Sequence, residues 1–197
     1  DAVSACMHSL AQGPWKKIGL VIPTAGGKTR MGLRVALETL AQSTNDDSVV
    51  LWVTHRKRLH RQARRALQQL LRDAEKLPDR ATEFFQLRVQ FIMVNDLDSA
   101  LANYSDRVTL VIVDEAHHAA AKSYSALVES PCRGLFLTAT PNRMDGLPIG
   151  IDEIAYTTTY RHLIDRGCIV NPVFESAPPF QGLDWQTSGG LDDLADY

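Results

Sequence analysis

The residues that could do chemistry begin with a glycine-rich turn that ends in a lysine and a threonine. Residues 22–29 read Ile-Pro-Thr-Ala-Gly-Gly-Lys-Thr, between an apolar run and a helix-like pattern. In such a turn, backbone N–H groups bind phosphate oxygens, a lysine reaches the β- and γ-phosphates, and a threonine hydroxyl binds Mg²⁺. The sequence therefore predicts a site for nucleotide phosphates formed by Thr24, Ala25, Gly26, Gly27, Lys28 and Thr29.

The turn departs from the phosphate-binding pattern G-x-x-x-x-G-K-[ST] at its first position. Ile22 stands where the pattern has its first glycine. On these residues alone, a plain turn before a helix stays open as an alternative. A second group of chemically suitable residues is needed to decide between the two interpretations.

Two adjacent carboxylates follow the most apolar strand-like run of the chain. Asp114 and Glu115 come directly after Val108–Val113. The first carboxylate can hold Mg²⁺ opposite Thr29, and the second can accept a proton from, or orient, the water that attacks the γ-phosphate. A solvated acidic loop is the plain alternative, and the phosphate turn upstream argues against it. We predict Glu115, Asp114 and Lys28 as the catalytic residues.

Strand-like and helix-like segments alternate along the chain, which is typical of a mainly parallel sheet with helices on both faces. The strands are predicted at 16–22, 48–54, 87–94, 108–113, 134–138 and about 169–174. The helices are predicted at 1–12, 30–40, 57–76, 97–101, 119–129 and 161–166, with loops at 79–86 and 142–152. The fold class is thus α/β. Ligands bind such sheets at the carboxyl ends of the strands, where the phosphate turn and the carboxylates lie.

Composition narrows the function classes. The chain has 197 residues with 21 Lys+Arg against 23 Asp+Glu, so only a local patch could attract nucleic acid. Its three cysteines are widely spaced, which favours a reduced intracellular protein without a disulfide framework or a zinc knuckle. No apolar run approaches the roughly 18 residues that span a bilayer. We expect the protein to lie in the cytoplasm or another intracellular compartment, and the mitochondrion and nucleus stay open as alternatives. Because the first residue is not Met, we also expect residues 1–197 to be a piece of a longer protein.

Three segments in this order resemble the motifs of DEAD/DEAH-like superfamily 2 helicases and translocases. They are PTAGGKT at 23–29, DEAHH at 114–118 and TATP at 138–141. The resemblance spans about residues 15–175 and is to the first RecA-like domain of these proteins. The segment from Thr138 to Gly146 is similar to the branch with restriction-enzyme motor subunits and DEAH-type DNA helicases. It implies a RecA-like P-loop domain that uses ATP and Mg²⁺ and acts on nucleic acid, DNA rather than RNA.

The resemblance also assigns roles to single residues. It implies that His117 couples the nucleotide site to Thr138 and Thr140. It implies contacts with a nucleic-acid backbone from residues that follow two further strands, namely Thr54, His55, Arg56 and Asn95. Three positions depart from the family pattern. Ala25 replaces a usual glycine, Arg58 replaces a common acidic residue, and Asn95 stands where the family more often has Thr or Ser.

The resemblance further implies a partner that residues 1–197 do not supply. We find no second RecA-like domain, so we expect one elsewhere in the same protein and a weak or inactive isolated domain. Residues 1–176 are predicted as the ATP-binding domain, and residues 177–197 as a linker or mobile tail. Two alternatives remain open: the motor of a restriction or repair nuclease, and a nucleotide-binding switch without turnover.

Overall fold

The computed structural model describes residues 1–73, 79–118, 125–139 and 150–171. The strands are β1 (Lys17–Val21), β2 (Val49–Thr54), β3 (Val89–Met93), β4 (Val108–Val113), β5 (Gly134–Thr138) and β6 (Glu153–Thr157). The α-helices are α1 (Ala2–Ala11), α2 (Lys28–Gln42), α3 (Lys57–Asp73), α4 (Asp79–Arg88), α5 (Leu97–Tyr104), α6 (Ser125–Glu129) and α7 (Tyr160–Asp165). Within the described ranges, none of these helices has the length and apolar character needed to cross a membrane.

The six strands form one parallel sheet in the order β3-β2-β4-β5-β1-β6. The ladder continues past the strand ends, because the Ile22 N–H donates to the Thr138 carbonyl at 3.0 Å and the Asp114 N–H to the Val53 carbonyl at 2.9 Å. In this strand order, the carboxyl ends of β1, β5 and β4 lie side by side. This edge carries the phosphate turn and the two adjacent carboxylates.

Helices cover both faces of the sheet, so its central strands are buried on both sides. Along β2, Val50 and Trp52 face the core that includes α1, α2 and α3, while Leu51 and Val53 face the core that includes α5 and α6. Neighbouring side chains in a strand point to opposite faces, and a strand covered on both faces is apolar throughout. The continuous apolar runs thus predicted the layered architecture correctly.

Helix α2, which begins with Lys28, packs very close to the sheet. A Cβ atom added at Gly32 would lie 2.7 Å from Leu137 Cδ1 and 3.1 Å from Trp52 Cη2. Only glycine fits there without a shift of the neighbouring side chains. Gly32 thereby fixes the height of α2, and with it the position of the phosphate turn, above the strands.

The prediction of a loop at residues 79–86 was wrong, because this segment belongs to α4. Phe85 packs against the core shared with α2 and α3. A helix of this length is marginal by itself in water and gains its stability from such packing. The same helix delays β3, which begins at Val89 and not at residue 87.

The sixth strand lies elsewhere than predicted. Residues 169–171 are not in a strand, and residues 172–174 fall outside the described ranges. The sheet instead gains β6, which runs parallel to β1 at one edge, with Thr158 N–H donating to the Val21 carbonyl at 3.1 Å. An edge strand has one neighbour and a partly solvated surface, so its sequence lacks the apolar run that marks central strands.

Candidate active site

The turn after β1 leads directly into the first turn of α2. The Gly26 N–H donates to the Pro23 carbonyl at 3.0 Å, and Gly27 caps the helix with φ 87°. The first N–H groups of an α-helix have no acceptor within the helix, and its N-terminus carries partial positive charge. The predicted phosphate turn is therefore a helix N-terminus suited to an anion.

Two neighbouring positions of this turn obey different constraints. A Cβ atom at Gly26 would lie 2.9 Å from Leu163 Cδ1 of α7 and 3.0 Å from the Pro23 carbonyl oxygen, so this position lacks space. Ala25 has room but adopts φ 65°, in the left-handed region that favours glycine. The departure at Ala25 from the family pattern thus places a strained alanine in the turn.

We expect Ala25→Gly to raise the free energy of unfolding by about 0.5–1 kcal/mol. The left-handed conformation costs an alanine about 1–2 kcal/mol, against about 0.5–1 kcal/mol for the greater unfolded-state entropy of glycine. Urea denaturation measures the change. The matched control is Ala41→Gly, at an exposed position in the last turn of α2, which should lower stability by up to about 1 kcal/mol. Destabilisation by both substitutions would contradict the strain at Ala25.

Lys28 joins the phosphate turn to the loop after β4. Its side chain is 6% exposed, and its ammonium donates to the Ile22 carbonyl at 3.0 Å and lies 3.7 Å from Glu115 Oε1. An ammonium has three donors, so this group can keep a protein partner while it binds phosphate. The sequence had indicated Lys28 and Glu115, but not the carbonyl that orients the lysine.

Asp114 is buried at the end of β4, with 3% of its surface exposed. Burial, and secondly the charge of Glu115, raise its pKa to about 6, against the opposing effects of Lys28 and the Glu115 N–H. In the protein without ligand, the charged form of Asp114 is therefore less favourable than it is in water. A cation bound there would remove the cost of its charge.

We expect Asp114→Asn to stabilise the ligand-free chain at pH 7.5 by about 1–3 kcal/mol. The pKa of Asp114 is higher in the folded than in the unfolded chain. Its ionisation therefore lowers the free energy of unfolding as the pH increases from about 4 to above 6, by about 1.4 kcal/mol for each unit of pKa difference. Asparagine is neutral throughout, so its advantage should shrink at pH 5. Urea denaturation with EDTA at both pH values, with the exposed Asp46→Asn as control, measures this. An advantage that does not change with pH would contradict the assignment.

Glu115 and His117 connect the carboxylate loop to β5. The His117 Nδ1 atom lies 2.9 Å from Thr138 Oγ1 and 3.6 Å from Glu115 Oε2. Glu115 itself adopts φ 51°, which is costly for a residue with a side chain and is typical of functional sites. The structure thus brings together His117 and Thr138 of the predicted coupling set, while Thr140 lies outside the described residues.

A cleft of about 450 Å³ lies over the phosphate turn. It is lined by Thr24, Ala25, Gly27, Lys28, Thr29, Arg30, Leu59, Gln62, Ala66, Gln69 and Glu115. Its volume is within the range of small-molecule sites. The wall from α3 was not predicted as part of the nucleotide site. The α3 residues of this wall are at positions 59, 62, 66 and 69, a spacing that places them on one face of the helix. This spacing in the sequence could have indicated the wall.

A second cleft, of about 380 Å³, continues from the first. It shares Glu115 and Gln62 with the nucleotide cleft and is also lined by His55 and Arg56. The residues predicted to contact nucleic acid differ in their exposure to solvent. Arg56 and Asn95 are exposed, whereas Thr54 is 1% exposed, with its hydroxyl 3.8 Å from the sulfur of Met93. The Thr54 side chain therefore does not reach the surface.

The residues of this site fit Mg²⁺ that arrives with a nucleotide. Within the described residues, no group of three or more His, Cys, Asp or Glu side chains could hold a metal ion. Mg²⁺ prefers oxygen ligands, and proteins commonly bind it through one or two carboxylates together with substrate phosphates. The buried Asp114 carboxylate and the Thr29 hydroxyl are ligands of that kind.

Comparisons with known proteins find a family and related chains. A family model described as type III restriction enzyme, res subunit, matches residues 1–143. IRC3 of Saccharomyces cerevisiae, named as an ATP-dependent helicase, is 29% identical over 89% of this chain and 28% of its own length. The protein irc3 of Schizosaccharomyces pombe, named as a mitochondrial ATP-dependent helicase, is 27% identical over all of this chain and 34% of its own length. The chain thus spans about a third or less of these relatives.

A solved structure shares the fold. In a nuclease-deletion mutant of the type ISP restriction-modification enzyme LlaGI, in complex with a DNA substrate mimic, the match has a TM-score of 0.60 and 17% identity. It covers 85% of this chain and 20% of that enzyme. The predicted RecA-like α/β fold with a parallel sheet is confirmed.

Proposed function

Because the chain belongs to the family described as type III restriction enzyme, res subunit, we propose that it is the first RecA-like domain of an ATP-dependent superfamily 2 helicase or translocase. One observation carries the proposal. The Lys28 ammonium lies 3.7 Å from the Glu115 carboxylate, in a cleft lined by the phosphate turn. Phosphoryl transfer needs mainly such positioned charges, a metal and an oriented water.

The reaction is the hydrolysis of ATP to ADP and phosphate. The N–H groups at the start of α2 and the Lys28 ammonium bind the β- and γ-phosphates. Thr29 and Asp114 would hold Mg²⁺, which neutralises charge on the phosphates. The Glu115 carboxylate orients the attacking water and accepts its proton, while the bond between the γ-phosphorus and the bridging oxygen breaks and ADP leaves.

The proposed coupling runs through His117 and Thr138. Their contact at 2.9 Å joins the loop that carries Glu115 to the end of β5. A change of Glu115 on hydrolysis is thereby passed to the segment after β5, which includes Thr140 of the predicted coupling set. We propose that this segment and a second RecA-like domain of the same protein respond together, with residues 177–197 as the connection.

We propose nucleic acid, DNA in preference to RNA, as the partner. The second cleft supports a nucleic-acid partner, because Arg56 and His55 line it beside Glu115. Asn95 lies exposed after β3, at the same edge of the sheet, and offers a further contact. Among the structural neighbours, the LlaGI structure holds a DNA substrate mimic. We assign no contact to the Thr54 hydroxyl, since it is buried.

A second candidate function is the motor of a restriction or repair nuclease. The description of the matched family favours it. It requires the same ATPase chemistry and adds cleavage by another domain. A nuclease domain outside residues 1–197 of the whole protein decides between the two, because it is required by one and not by the other. For either function we propose an intracellular location, as for the relative named mitochondrial.

The proposal is tested with Arg56→Ala in the whole protein. We expect duplex DNA to stimulate ATP hydrolysis. This variant should lose about 10–100-fold in DNA affinity, since a charged hydrogen bond to phosphate contributes about 1.5–3 kcal/mol. Its rate without DNA should stay unchanged. The matched control is the exposed Arg166→Ala, which should bind DNA as the parent does. If the parent protein hydrolysed ATP at the same rate with and without DNA, the proposed function would be contradicted.

A further inference from the structure

The outer face of α3 carries a continuous stripe of positive charge. With 3.6 residues per turn, six basic side chains fall within an arc of about 120° around the helix. All six are exposed, and no acidic residue precedes Asp73 in this helix. We call them the α3 stripe: Lys57, Arg58, Arg61, Arg64, Arg65 and Arg72.

The orientation of α3 is fixed by the buried face of the helix, whose centre lies about 120° around the axis from the centre of the stripe. Ala63, Leu67 and Leu71 are buried in the core of the domain. The stripe therefore points to solvent along its whole length. At 1.5 Å per residue, it runs for about 22 Å from Lys57 to Arg72.

The charges of the stripe are not compensated within the described part of the chain. No salt bridge between described residues includes a member of the α3 stripe. The nearest acid in sequence, Asp73, pairs with Arg30 at 3.1 Å. The whole chain carries a net charge of −2, so the stripe is a local concentration and not a consequence of a basic composition.

The stripe continues from the proposed nucleic-acid segment. Arg58, in the first turn of α3, lines the second cleft together with Arg56. Further along, Arg64 lies 5.6 Å above the centre of the Phe91 ring and lines a groove of about 310 Å³ with Gln68 and Gln90. A phosphate backbone that enters at Arg56 thus finds cations and amides along the whole outer face of α3.

We propose that the α3 stripe binds the backbone of duplex DNA, next to the contacts at the carboxyl edge of the sheet. This inference rests on the proposed function and adds a second contact surface to it. A duplex carries one negative charge per about 1.7 Å in a rigid array, so roughly 13 charges lie along a helix of this length. A single strand is commonly held by stacking on a series of aromatic side chains. Residues 57–73 include no Phe, Tyr or Trp, and the neighbouring Phe91 ring already carries Arg64 at 5.6 Å. The charge pattern therefore matches a duplex.

The test compares two double variants of this chain that remove the same charge. Arg61→Gln/Arg65→Gln changes the α3 stripe, and Arg161→Gln/Arg166→Gln changes two exposed arginines at α7. Binding of a 20-base-pair duplex, about two helical turns, is measured over a series of NaCl concentrations. We expect the stripe variant to lower the slope of log K against log salt by about 2, at about 0.9 per phosphate contact, and to lose at least about 10-fold in affinity at 50 mM NaCl. The α7 variant should keep the parental slope.

Equal slopes for the stripe variant and the parent overturn the inference, as does an equal loss in both variants. Two further arms test the partner. Displacement of the duplex by polyglutamate of equal charge, or the same loss with a single strand of equal length, overturns the assignment to duplex DNA. MgATP binding is measured on the same samples. A parent that binds no MgATP contradicts the proposed function even if the slope changes, whereas normal MgATP binding with unchanged slopes contradicts the stripe alone.

Discussion

Replacing Lys28 with alanine is expected to weaken MgATP binding by about 100–10,000-fold. The buried ammonium is oriented by the Ile22 carbonyl at 3.0 Å, at the N-terminus of α2. Two charged hydrogen bonds to phosphates contribute about 3–6 kcal/mol, and each 1.4 kcal/mol is tenfold in affinity. Calorimetric titration of this chain with MgATP measures the loss.

The matched control for this substitution is Arg34→Ala. Arg34 lies in the second turn of the same helix, is exposed and does not line the nucleotide cleft. It should bind MgATP within about threefold of the parent, a difference of about 0.6 kcal/mol. Binding that is equally weak in both variants would indicate damage to α2. Full affinity in the Lys28 variant would contradict the phosphate site.

Glu115→Gln is expected to lower ATP turnover by about 100–10,000-fold while ATP still binds. The amide keeps the size of the side chain but cannot accept the proton of the attacking water, and general base catalysis contributes factors of this size. Nucleotide affinity should not fall, because Lys28 loses the carboxylate that competes with phosphate at 3.7 Å. Turnover is measured in the whole protein, with and without duplex DNA.

The control for the second experiment is Glu129→Gln. Glu129 is exposed at the end of α6 and does not line either cleft of the site. It should turn over ATP at the parental rate. Turnover by the Glu115 variant equal to that of this control would contradict the role of the base. Loss of nucleotide binding instead of turnover would indicate that Glu115 serves mainly to hold Lys28.

Much of the fold could be predicted because its signals are local in sequence. Central parallel strands are covered on both faces, so each appears as an apolar run, as at Val49–Thr54 and Val108–Val113. The phosphate turn is also a local signal, because the backbone N–H groups on which its chemistry depends belong to residues that follow one another in the sequence. Segments without such local signals were predicted poorly. Helix α4 depends on the packing of Phe85, and β6 depends on its pairing with β1.

The sequence by itself determined the chemical groups of the site and the edge of the sheet where they meet. Short segments of the sequence contain both the types of these residues and their positions directly after apolar strands. The tertiary structure decided which other groups surround them: the Ile22 carbonyl orients Lys28, Leu163 of α7 lies against Gly26, and Gln62 of α3 lines the same cleft as Glu115. It also decided that Thr54 is buried while the α3 stripe is exposed. These features depend on the packing of helices against the sheet, which brings together residues far apart in sequence, and no single segment encodes it.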